Sequence, residues 1–165
     1  MEPNTVRRAG QLRSAEPVTA ELCGNALPTG TAVLTLDGAL PVEFLEPGDR
    51  VITRDQGAST LRAVARRQIA CRMIEIRGGS LGHTRPGRDI RVPAEQRVLI
   101  RDWRARALFG RPQALVPAAR LVDGSFVRDL GMRQVDLVAL RFDAPHILYA
   151  DGLELASAPG LTAPA

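Results

Sequence analysis

Short apolar runs broken by Gly, Pro and Asp recur along this chain from residue 31 onward, at strand length rather than helix length. The pattern predicts strands over residues 31–36, 50–54, 59–68, 72–78, 89–92, 97–101, 133–142 and 146–150. Met73-Ile74-Glu75-Ile76-Arg77 alternates cleanly and should bury one face, whereas Leu61 to Arg66 alternates raggedly, as an exposed edge does. Val135 to Phe142 is the most apolar long run and should cross the core. Between strands the punctuation is specific. Asp37-Gly38 predicts a tight reversal, because glycine accepts positive φ, and Pro47-Gly48 has the residue order of a type II turn. Pro41 to Leu45 makes a further short apolar element, and Pro117 to Leu121 a single helical turn ended by Asp123-Gly124. Many short strands at turn-rich spacing imply an all-β fold. No internal repeat is evident letter by letter.

The ends read differently. Residues 1–25 form a polar, flexible N-terminal arm, with a helical turn expected near Val18 to Leu22; residues 26–157 form the β domain, and 158–165 a disordered tail that frays from Ser157. Of the 165 residues 45% are hydrophobic and only 4% aromatic, so the core must be aliphatic. The net charge of +4 comes entirely from arginine on the basic side, with no lysine. The arginines are scattered, and the aromatic platforms that stack bases are missing, which argues against nucleic acid. No apolar run reaches membrane-span length and no secretory signal is legible, so there is no membrane partner and the cytoplasm is the default compartment, with export by a signal elsewhere left open. Two cysteines do not make a disulfide framework. Cys23 is expected as an ordinary thiol in the arm and Cys71 as a small buried hydrophobe.

Four segments, in order, carry a resemblance. They are Thr29 to Asp55, the run Arg88 to Ile100 ending in Arg97-Val98-Leu99, the segment Leu115 to Gly124 (LVPAARLVDG), and Leu140 to Gly152. Together they resemble the Hint superfamily, the Hedgehog/intein autoprocessing domains, and in particular its bacterial stand-alone branch. The likeness covers roughly residues 27–157. It implies a Hint-type horseshoe of short strands with pseudo-twofold symmetry. It also implies an acyl shift, in which a thiol or hydroxyl attacks the preceding carbonyl while a histidine assists the departing nitrogen.

The departures decide the functional question. The family's nucleophilic cysteine, five residues before the threonine of Gly30-Thr31, falls on Ala26. The histidine of its Ser/Thr-x-x-His motif falls on Gln96, the Ser/Thr on Pro93, and a second histidine of the closing segment on Leu140. A methyl group has no lone pair, and glutamine cannot titrate near neutrality. The reading is a Hint-type domain without self-cleavage that serves as a structural or interaction module for an unknown protein or peptide partner. As a module it should show an exposed apolar patch or an open sheet edge. Two alternatives stand beside it. An active domain could perform its acyl shift at Cys23, with Thr29 a further hydroxyl nearby; or a basic β module could bind nucleic acid or an acidic partner. His146 is either a remnant of proton transfer or a structural histidine bonding a backbone group at a strand start, and His83 sits in a solvated loop. Cys23, Cys71, His83 and His146 have no metal-ligand spacing, so no metal and no cofactor are expected.

Overall fold

A computed structural model describes residues 23–82 and 84–160 of the chain. The turn expected near Val18 to Leu22, the loop residue His83 and positions 161–165 lie outside them. In chain order the strands are β1 (Leu27–Pro28), β2 (Ala32–Thr35), β3 (Gly38–Pro41), β4 (Arg50–Thr53), β5 (Gly57–Thr60), β6 (Ala63–Ile76), β7 (Ile90–Pro93) and β8 (Arg97–Ile100). Helix α1 (Trp103–Phe109) follows, then β9 (Ala114–Pro117), β10 (Val127–Arg141), β11 (Ile147–Ala150) and β12 (Leu153–Ala156). Short 3-10 turns occupy Val42–Phe44 and Ala118–Leu121.

The seam of the molecule is the antiparallel pair β6–β10, in register from Ala63 opposite Arg141 to Ile76 opposite Val127. A bulge interrupts it between Asp129 and Gly131, where Gly131 has φ 73° and its N–H donates to Asp129 Oδ1 at 2.8 Å. Sheet order is β1-β10-β6-β7 on one side and β3-β2-β4-β11-β12-β8-β9 on the other, with β5 beside β4. The main core lies between them and is aliphatic, as composition required; Phe142 is its one fully buried aromatic ring among the described residues.

The two halves repeat each other through hydrogen bonds rather than letters. In the first, Thr31 N–H donates to Pro28 O at 3.2 Å, and Thr31 O accepts from Val42 N–H at 2.8 Å. In the second, Gln96 N–H donates to Pro93 O at 3.0 Å, and Gln96 O accepts from Ala118 N–H at 2.9 Å. Strand pairing follows suit, with Ala32 opposite Pro41 and Arg97 opposite Pro117. Each proline then opens a 3-10 turn, its fixed φ being pre-set for the position. Leu45 and Leu121 close the two turns as buried side chains. The insertion of α1 between β8 and β9 lengthens the second half and hides the repeat from the sequence.

Several expectations are corrected. Residues 59–68 and 72–78 do not make two strands; β6 is continuous through Ile69-Ala70-Cys71, because β10 pairs with its whole length. Two strands are therefore long, within an otherwise short-stranded fold. Helix α1 was not expected, yet its ends are capped: Asp102 Oδ1 accepts from Arg104 N–H at 3.0 Å, and Gly110 turns left-handed at φ 69°. Its one buried residue, Ala105, leaves no apolar stripe to read. Strand β12 was also missed. Asp151 and Gly152, at φ 50° and 82°, form the two-residue turn that returns the chain from β11. All four β12 residues are buried, so no alternation marks the strand.

The domain's ends also shift. Ser157 and Ala158 do not fray: Ser157 N–H donates to His146 O at 2.8 Å and Ala158 N–H to Leu140 O at 3.2 Å. Gly160 packs so closely that a Cβ there would lie 2.7 Å from Ala144 Cα. At the other end, Cys23 is neither a free thiol nor part of a loose arm. It is disulfide-bonded to Cys71 of β6, with Cα atoms 6.0 Å apart. Residues 23–25 therefore belong to the packed domain.

Candidate functional site

Four chain segments converge where the family's chemistry would sit. Ala26, fully buried, precedes β1 and packs with Cys71, Met73, Leu137, Ala139 and Ala158. Gln96, fully buried as well, ends the turn before β8. One bond ties their neighbours together, from Arg97 N–H to Asn25 Oδ1 at 3.0 Å. The end of β12 completes the site, since Gln96 Nε2 donates to Ala156 O at 2.9 Å and Arg97 O at 3.0 Å. Two residues earlier on the same strand stands Glu154, which is buried. That buried carboxylate meets Arg101 at 2.6 Å, Arg85 at 3.0 Å and Arg54 at 3.3 Å. Three cations around one acid satisfy the charge that burial would otherwise penalise.

The side chains of this constellation are largely committed to structural bonds. Ala26 offers a methyl group where a thiol would stand. Gln96 spends both N–H groups on backbone carbonyls, and its buried Oε1 has no partner. An amide so placed can position a carbonyl but cannot deliver a proton near neutral pH. Thr31 is buried and donates its hydroxyl to Pro28 O at 2.7 Å, closing the turn rather than facing a reactive carbonyl. Ser157 is likewise committed, accepting from His146 N–H at 3.0 Å and donating to Ala158 O at 3.2 Å.

His146 stands at the start of β11, but its ring does not bond a backbone group. Nδ1 lies 2.8 Å from Asp55 Oδ2, and Asp55 Oδ1 accepts from Ile147 N–H at 3.0 Å. Partial burial raises the Asp55 carboxyl, but hydrogen bonds from His146 and Ile147 outweigh it and leave the group below the usual carboxylate range. The imidazole edge also meets the Phe142 ring, centroids 5.5 Å apart. Asp55 follows β4, and β4 flanks β11 on the side away from β12 and β8. The His146 ring thus engages Asp55, while its backbone bonds Ser157, the residue after the Ala156 that Gln96 holds. Asp55 was missed because nothing local marks a turn aspartate as the partner of a residue 91 positions away.

Cys23 is brought close to Ala26, three residues on, but without a thiol. Its sulfur is shared with Cys71, and both cysteines are consumed. Attack on the Leu22 carbonyl needs a thiolate, which the disulfide withholds. Among the described residues no group of three or more His, Cys, Asp or Glu could hold a metal ion.

The comparisons agree with this geometry. The profile of the Hint domain matches residues 26–159, starting on Ala26 itself. The chain belongs to the Hint domain family. No curated protein sequence matches it. Among solved structures, this Hint domain is similar to a bacterial intein-like domain from Clostridium thermocellum, at 16% identity and a TM-score of 0.54, over 81% of this chain and 98% of that one. It is similar also to a DnaB intein from Synechocystis, at 13% identity and a TM-score of 0.56, over 80% and 97%. The MchDnaB-1 intein matches at 15% identity and 0.51, over 80% and 99%. At such identities the likeness is one of fold. The Hint architecture expected from four sequence segments is the architecture found.

Proposed function

We propose that this Hint domain does not cleave itself and serves as a structural or interaction module. The observation that carries the reading is the pair Ala26 and Gln96. Both are buried, both fall in the sequence on the family pattern's nucleophile and histidine positions, and neither side chain can do that chemistry. Losing the nucleophile removes the covalent step itself, while loss of acid–base help is worth about 10²–10⁴ in rate. The alternative at Cys23 is weakened twice, by the disulfide and by the absence of an acid at Gln96.

The disulfide also supports an oxidising compartment over the cytoplasmic default, since such bonds persist where thiols are not kept reduced. No described helix is long and apolar enough to cross a membrane. The test is the intact mass of the purified chain before and after incubation with dithiothreitol. An unchanged chain, apart from the two hydrogen atoms gained as dithiothreitol reduces the disulfide, is expected. Loss of the 22 residues ahead of Cys23 would overturn the reading and make that cysteine the nucleophile.

A further inference from the structure

Among the described residues the eight-stranded sheet ends at β9, which pairs with β8 alone. All four residues of this edge strand line a hollow of about 460 Å³, together with Phe109, Arg97, Arg111 and Arg120. A second depression continues it past Arg111 to Arg106 and Pro112. Among the described residues no acidic side chain lines either. The four arginines are exposed, and no ion pair is found for any of them among the described residues. Arg120 lies over the Phe109 ring at 5.3 Å, so the groove's one aromatic face is already covered. Leu115 stays exposed on the strand.

We propose that β9 is the docking edge for an extended acidic segment of a partner protein, which adds as a further strand and sets its carboxylates among these four arginines. The proposal rests on the reading of the domain as an interaction module and gives that module a partner class. An unpaired strand offers backbone donors and acceptors to any extended chain. Charge then selects which chain. A second copy of this domain, edge to edge, would bring like charges face to face, and such juxtaposition is costly. Nucleic acid would need stacking faces that the hollow lacks. Arginine is suited to the role because its planar fork matches a carboxylate bidentately.

The test uses the full chain and a fluorescein-labelled octapeptide of alternating Glu and Val, read by fluorescence anisotropy. Binding that weakens with added salt is expected, with none for the Lys–Val counterpart. Arg111→Glu with Arg120→Glu should weaken it by about tenfold or more, because attraction is replaced by repulsion. N-methylating alternate residues of the peptide should also weaken it, which isolates strand pairing without altering the protein. Failure of the Glu–Val peptide to bind, equal binding of the Lys–Val peptide, or indifference to N-methylation would each overturn the proposal. So would tighter binding of a labelled oligothymidine, or dimerisation by sedimentation that the double variant abolishes. None of these results bears on self-cleavage, which the mass measurement decides separately.

Discussion

The halves of this Hint domain share a frame and differ in what is hung on it. Thr31 and Gln96 hold matching positions, each bonded back to a proline three residues earlier and each receiving an N–H from the residue after a second proline, Pro41 or Pro117. Val33 and Val98 lie fully buried two residues further on. Yet Thr31 closes its turn with its own hydroxyl, while Gln96 reaches out to the end of β12. The edges contrast as well. β3 returns directly from β2 through a tight turn, with Gly38 at φ 100°, and lines none of the hollows described above. β9 is reached through α1 and is walled by arginines. The lesson is that the backbone repeat tolerates wide change in side chains at the points where function would sit. The fold itself is held by matched turns, core leucines and a long seam.

The comparison breaks first at the matched leucines. Leu45→Ala and Leu121→Ala should each destabilise by about 2–5 kcal/mol in denaturant melts, while Leu115→Ala on the exposed face of β9 should stay within about 0.5 kcal/mol. A harmless change at one core leucine would show that the halves are not energetically alike. The next contrast is at the turns. Gln96→Leu strands two backbone carbonyls and should cost about 1–3 kcal/mol, towards the lower end because it also removes the unpartnered Oε1. Thr31→Val loses one bond to an oxygen that still accepts from Thr31 N–H, and about 0.5–1.5 kcal/mol is expected.

A further small effect is expected at Asp55, which pairs with His146. Its folded-state carboxyl titrates below the ordinary value, so the folded protein binds that proton more weakly than the unfolded chain. Its contribution is complete above the unfolded pKa of about 4 and fades as pH falls through the lower, folded value. The side chain is 40% exposed, so solvent screening limits the effect to under about 1 kcal/mol. Asp55→Asn should therefore lower stability slightly at pH 7, with the gap to wild type closing under acid. A gap that widens in acid would reverse the assignment.

How much was legible follows from locality. The turn at Glu46-Pro47-Gly48-Asp49 was readable because its residues carry their own geometry, and it is found with Gly48 at φ 100° and Asp49 N–H bonded to Glu46 O at 3.1 Å. Ala26 and Gln96 were readable as substitutions against a family pattern, and both are found buried. The missing pieces are those decided elsewhere in the chain. Whether Cys23 is a thiol depends on Cys71 across 48 positions, and the partner of His146 is a turn residue on β4's far end. Residues 72–78 looked like a strand beginning anew because β6 turns from an exposed half to a buried half at Cys71. β12 had its Asp151-Gly152 turn in plain view, but a strand buried on both faces shows no period.

The central claim is that the Hint frame persists without its chemistry. Its most direct test fuses a folded reporter upstream of Met1 and measures intact mass in buffer, in thiol and in hydroxylamine, which traps any ester or thioester at the junction. A single uncut species in all three is the predicted result. Reporter released by thiol or hydroxylamine, at any bond up to residue 26, would contradict it and show that a nucleophile still works in this fold.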